Sequence, residues 1–146
     1  MRDDNYLKGR LESIWNDFFT DVIKKNNIKI RFRGRWKNKF GHIKKLRNGD
    51  SEIAVNGYFR NEIVPGFVLD LTIAHELVHY SHGFNSPLPK MYEYPHKGGV
   101  VDRDLKKRGF GEMLKLEKKW IKNEWKSIIE REFKVRKRSV FRLRLF

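Results

Sequence analysis

An α+β fold is the architecture this chain predicts, and three observations carry it. Apolar residues recur at helical spacing near the start. From about residue 28 to residue 60 the pattern turns to alternation, broken by turn residues. Residues from about 66 to 82 then form a helix that is apolar on nearly every side. The expected order is an N-terminal helix, a small three- to four-stranded and mainly antiparallel sheet, the apolar helix, and C-terminal helices.

Leu7, Leu11, Ile14, Trp15, Phe18, Val22 and Ile23 set the first helix, over about residues 4–26, and Asn26-Asn27 ends it. Ile28-Lys-Ile-Arg-Phe-Arg alternates apolar with basic residues, as a strand with one solvated face does. Lys39 to Ile43 suggests a second strand, and Asn48-Gly49-Asp50 is a hairpin turn signal. Glu52 to Phe59 reads as a third strand. Pro65-Gly66 starts the apolar helix and Gly83 stops it. A long loop rich in Pro and Tyr follows, then a helix from Gly98 to Arg108 that breaks at Gly109. A longer helix runs from about Glu112 to Phe133, with Met113, Leu116, Trp120, Ile121, Trp125, Ile128 and Ile129 as its apolar positions.

The 146 residues are expected to form one domain over 1–134, followed by a basic tail over 135–146. The tail alternates basic and apolar residues and can serve as a strand or an arm. Pairing with a sheet edge beside a cleft, where it would block a ligand, is one use for it. The chain lacks cysteine, which excludes a disulfide framework and a thiolate zinc ribbon. Its start has no apolar signal core and no segment approaches membrane-spanning length, so a cytoplasmic protein without a membrane partner is expected. The net charge of +15 favours a polyanionic partner, most often nucleic acid. From Lys29 to Arg47 there are nine basic residues and no acidic one. Arg31, Arg33, Arg35, Lys37 and Lys39, interleaved with Trp36 and Phe40, are the residues expected to meet phosphates and bases. The alternative is a solvated sheet face whose aromatics belong to the core.

The apolar helix carries the chemistry. Leu71 to Tyr80 contains H-E-x-x-H, with His75, Glu76 and His79. Residues four apart stand one turn above each other, so His75 and His79 can offer imidazoles to one cation, with Glu76 beside them as a base. A hydrolytic zinc needs a third protein ligand and an open position. His82 lies on the same face but about 10 Å along the axis from His75, too far for one ion. His42, on a predicted strand, reads as structural. His96 follows the loop and can fold back over the first two, while Glu112 and Glu117 on the next helix are rivals. For the donor facing a developing oxyanion, Tyr80, Tyr92, Tyr94 and Arg103 stand open.

Two segments, Ala74-His75-Glu76-Leu77-Val78-His79 and Pro95-His96-Lys97-Gly98, sit in the order helix, strands, motif helix, loop, short helix. Val100 and Gly109 follow at matching offsets, and Ile53-Ala-Val-Asn precedes. In this the chain resembles the SprT-like (Spartan-type) zinc metallopeptidase domain over roughly residues 5–110. The resemblance implies one zinc ion held by His75, His79 and His96, with Glu76 as general base in attack of a zinc-bound water on a peptide bond. It implies substrates that are proteins bound or crosslinked to single- or double-stranded DNA. Lys97 stands where the family often has Gly, Val100 replaces an aromatic, and the cysteine ribbon is missing. With Glu112 as third ligand the chain would be more similar to the minimal gluzincin peptidases and need no nucleic-acid role. A nucleic-acid-binding module with a structural metal site is a third reading.

Overall fold

Asp3 opens the first helix by accepting a hydrogen bond from Tyr6 N at 2.9 Å. The computed structural model describes residues 1–132, so the tail and the expected boundary at 134 lie outside the described residues. Helix α1 spans Asp4–Phe18 and is shorter than its periodicity suggests. Phe19 leaves helical geometry and turns wholly into the core, packing on Phe110. Arg108 donates to the freed carbonyl of Phe18 at 2.8 Å, satisfying the helix end. Burial of one aromatic outweighs another turn of helix here, and Ile23 is left exposed.

Three strands follow: β1 (Ile28–Arg33), β2 (Gly41–Lys45) and β3 (Ser51–Asn56). They order as β1-β3-β2, with β3 central and buried along its length. The sheet is mixed where mainly antiparallel pairing is expected. β2 runs antiparallel to β3, with Ile43 opposite Ile53, but β1 runs parallel to it, with Ile30 opposite Ile53. Local turn chemistry sets only the β2–β3 pair: Leu46 N donates to Asp50 O at 2.8 Å and Gly49 takes φ +93°. Nothing local dictates which edge of β3 receives β1.

Ile30, Phe32, Ile43, Ile53 and Val55 make the inner face of the sheet, all essentially buried. Helix α2 (Gly66–Ser81) covers that face, and Arg10 on α1 clamps Asp70 on α2 through two bonds of 2.9 and 3.0 Å. Tyr80 is sealed inside, donating to Asn26 Oδ1 at 2.8 Å and accepting from Lys25 N at 3.1 Å. Helix α3 (Val100–Lys107) then packs against α2. On the outer face Asn56, fully buried, donates to Trp36 O (2.7 Å) and Lys39 O (2.8 Å). Its own backbone N–H reaches Phe40 O at 2.8 Å, so the connection between β1 and β2 is tied onto β3.

Two compact units divide the chain, Met1–Met113 and one from Leu114 onward. α4 (Gly111–Trp120) starts in the last residues of the first unit and, in the second, passes into a π-helical turn, Ile121–Trp125, before helical backbone continues to residue 132. The extra residue in that turn shifts the phase of the apolar stripe. Trp120, Trp125, Ile128 and Ile129 are buried, while Leu116 and Ile121 are exposed. Trp120 stacks on Trp125 with centroids 5.6 Å apart. Among the described residues no helix is long and apolar enough to cross a membrane.

Candidate metal centre

α2 buries nearly every side chain, Glu76 and His79 among them, while His75 is half-buried and His96 exposed. The ring nitrogens of the two helical histidines meet: Nε2 of His75 and Nε2 of His79 face each other at 3.2 Å. Two ligands of a tetrahedral zinc at about 2.05 Å stand roughly 3.3 Å apart, so this pair has the separation that such an ion requires. His96 joins them from the loop, with its ring centroid 4.5 Å from that of His79. The three residues offer nitrogens that all lie within 4.8 Å of one another, a group able to hold a metal ion.

The electrostatics suit a cation as well. Burial pushes His75 down to about 4 and His79 down to about 3, so both rings stay neutral at pH 7 with a lone pair free. Nδ1 of His79 is buried without a hydrogen-bond partner. Phe84 lies against both His79 (5.3 Å) and His96 (6.1 Å), making that wall of the site apolar. Burial raises the Glu76 carboxyl to about 8, and the positive charge of Lys39 opposes the rise. A divalent cation in the cluster would oppose it further and favour the carboxylate.

The loop that returns His96 is built from anchored turns. Gly83 takes φ +78°, and a side chain there would run into Pro89 O, so only glycine fits at the end of α2. Phe84 N donates to His79 O at 2.9 Å, and Asn85 Nδ2 donates to Ile43 O at 2.8 Å. Ser51 Oγ donates to Asn85 O at 2.7 Å, fixing the loop to the sheet. After His96, Gly98 and Gly99 both adopt left-handed backbone (φ +73° and +67°), which turns the chain into α3.

His82 caps the C-terminal end of α2 and lies outside the cluster; its Nε2 bonds Asp104 Oδ2 at 2.7 Å. His42 sits on β2 against Trp36, centroids 5.2 Å apart. Glu112 is exposed, and neither it nor Glu117 belongs to the histidine group. Of the proposed oxyanion donors, Tyr80 is sealed in the core with its hydroxyl committed to Asn26. Tyr92 packs on His82, Tyr94 is exposed, and Arg103 donates to Gly98 O.

The basic stretch divides. Arg31 and Arg33 project from β1 and share Glu52 Oε1 at 3.4 and 3.3 Å, and Lys29 reaches Asp50 at 3.5 Å. Arg35 instead lies over the Tyr58 ring and Lys39 over that of Trp36, while Lys37 is exposed. Three contributors to the site carry no motif. Gly41 admits β2 against α2, Asn56 holds the loop bearing Lys39, and Phe84 walls the histidines. The Gly83-Phe84-Asn85 turn is the nearest to a sequence signal, through its glycine.

No protein-family model matches the chain, and no curated protein matches it. Among solved structures it is similar to the metallopeptidase zymogen jannalysin of Methanocaldococcus jannaschii, at a TM-score of 0.41 and 19% identity. That likeness covers 79% of this chain and 97% of the other.

Proposed function

We propose that the chain is a zinc metalloendopeptidase, acting on proteins or peptides, with one zinc ion on His75, His79 and His96. One observation carries the reading: a buried carboxyl, Glu76, adjoins a convergence of three imidazoles whose two helical members already stand a zinc-like distance apart. A purely structural site has no use for that carboxyl. Zinc, when bound, supplies a Lewis acid that polarises the scissile carbonyl and acidifies water. Glu76 takes a proton from the attacking water on a carboxylate oxygen and returns it to the leaving amine. Burial of that oxygen strengthens both transfers by keeping bulk water from competing. The SprT-like resemblance is part of this proposal, as is the role of His96 in preference to a glutamate.

Glu76→Gln tests it. The variant should bind zinc at wild-type stoichiometry and lose about 10²- to 10⁴-fold in peptide hydrolysis. Unchanged hydrolysis would sink the mechanism. Zinc in the wild type with no hydrolysis of any peptide would favour the binding module instead.

A finer reading places the substrates on DNA. It rests on the charge of +15 and on the exposed basic residues Arg31, Arg33, Arg35, Lys37 and Lys39. Affinity for single- or double-stranded DNA should fall steeply between low and moderate salt, and Arg31→Gln with Arg33→Gln should flatten that slope by about two phosphate contacts. A salt-independent affinity would remove nucleic acid from the account.

A further inference from the structure

Two lysines, one near Glu76 and one next to His96, each set their ammonium group over an aromatic ring, as four arginines among the described residues do with their guanidinium groups. Lys39 Nζ lies 4.5 Å from the centroid of Trp36, and Lys97 Nζ lies 5.4 Å from that of Tyr94. Neither meets a carboxylate among the described residues. The cations of β1 differ, since Lys29, Arg31 and Arg33 are each paired with Asp50 or Glu52. An aromatic ring holds an ammonium in place without neutralising it, and so leaves its charge for a ligand.

Both lysines have fixed backbones close to the reacting groups. Lys39 O is gripped by the buried Asn56, and two residues later Gly41 lies against Glu76: a Cβ built on it would stand 3.7 Å from Glu76 Oε2. Lys97 follows His96 directly, its N–H donating to Tyr94 O at 3.1 Å, and the two line one open hollow of about 420 Å³ with Tyr94 and Pro95. One cation thus accompanies the base and the other accompanies the third histidine.

We infer that the site selects acidic peptides, with Lys39 and Lys97 receiving carboxylate side chains close to the scissile bond. The inference rests on the peptidase reading for its chemistry, but the recognition it describes is a matter of charge and place. Lysines kept only for solubility would give at most a general attraction for acidic peptides, which replacing Lys39 or Lys97 alone would barely change.

The test pairs fluorogenic peptides that differ only by Glu or Gln at the positions flanking the scissile bond. With zinc-loaded protein at low salt, kcat/KM should favour the Glu series by roughly fivefold per lysine, the size of a contact charge pair in water. K39Q and K97Q should each lower the Glu-to-Gln ratio, and K39R should keep it; a loss of folding would slow both series alike and leave the ratio intact. Fluorescence anisotropy of the same peptides on the full chain gives a second measurement. If no peptide is cleaved, the peptidase reading falls, yet lysine-dependent preference in binding would still uphold this inference. A ratio near one in both measurements, or a preference that survives K39Q with K97Q, overturns it. Competition by a single-stranded oligonucleotide that erases the preference at equal charge concentration would show a general polyanion site, and would overturn it too.

Discussion

Gly41 meets Thr72 with no room to spare: a methyl group built on the glycine would stand 2.8 Å from Thr72 Cγ2 and 2.8 Å from Ala54 O. One neighbour is side chain on α2 and the other is backbone of the central strand, so neither yields cheaply. Gly41→Ala should therefore push β2 away from the helix that carries Glu76. The expected cost is about 1–3 kcal/mol, as for other overpacked sites, read from urea denaturation. Gly9→Ala is the control, because nothing lies within 4 Å of its Cβ position. Equal effects of the two would mean that the close approach does not constrain the site.

Zinc should stabilise the fold through the histidines that face each other. At a free concentration a hundred times its Kd, the ion adds about 2.7 kcal/mol to folding and raises Tm, and a chelator reverses the rise. His79→Ala removes a ligand from the centre of the cluster and should abolish the shift. A glutamate-completed site would instead keep the zinc-induced rise in His96→Ala, so thermal scans of the two variants decide the third ligand.

Asp104 ties His82 at the end of α2 to Arg108 at the end of α3, and Asp21, in the segment after α1, holds the same arginine from the surface. Asp104 bonds His82 at 2.7 Å and Arg108 Nε at 2.8 Å, all three side chains being largely buried. Asp104→Ala takes the partner from His82 Nε2 and from Arg108 Nε, though Arg108 keeps Asp21 and Phe18 O, and should cost about 3 kcal/mol, the low end for breaking a buried pair. Asp21 also bonds Arg108, at 2.7 and 3.0 Å, but its side chain is 67% exposed. Asp21→Ala should cost less than about 1 kcal/mol. Chemical denaturation of both variants checks the ordering, and a reversed order would mean that the bridge from α2 to α3 carries little.

Acid should destabilise the protein in part through His42. Burial holds its imidazole down to about 4 from an ordinary 6.5, and neither ring nitrogen has a hydrogen-bond partner. The unfolded chain therefore takes up the proton first. The neutral ring's contribution is complete above pH 6.5 and is lost as pH falls through 6.5 toward about 4. His75 and His79 are depressed in the same sense, so the comparison must be differential. His42→Phe should show a shallower fall in stability between pH 6.5 and 4 than the parent, and parallel curves would rule His42 out.

Much of this protein is written in short-range pattern. The H-E-x-x-H spacing makes His75 and His79 neighbours on any α-helix, because four residues nearly complete one turn. Apolar residues on the remaining positions bury that helix, and Pro65 and Gly83 bound it. The hairpin turn at Asn48-Gly49-Asp50 is equally local. These features depend on a few consecutive dihedral angles, and a sequence states those directly.

Other features depend on what meets across space. The end of α1 at Phe18 is decided by burial of Phe19 and by Arg108, ninety positions away. The parallel placement of β1 beside β3 is a choice between two edges that local pattern does not weigh. His96 reaches the cluster only because Gly83, Asn85 and Ser51 steer a long loop, and the roles of Gly41 and Asn56 lie in the groups pressed against them. By itself the sequence determined two imidazoles and a carboxyl on one buried helix. The tertiary structure decided which third side chain stands beside them, and which charges surround the site, because only folding brings distant residues within reach of a bond.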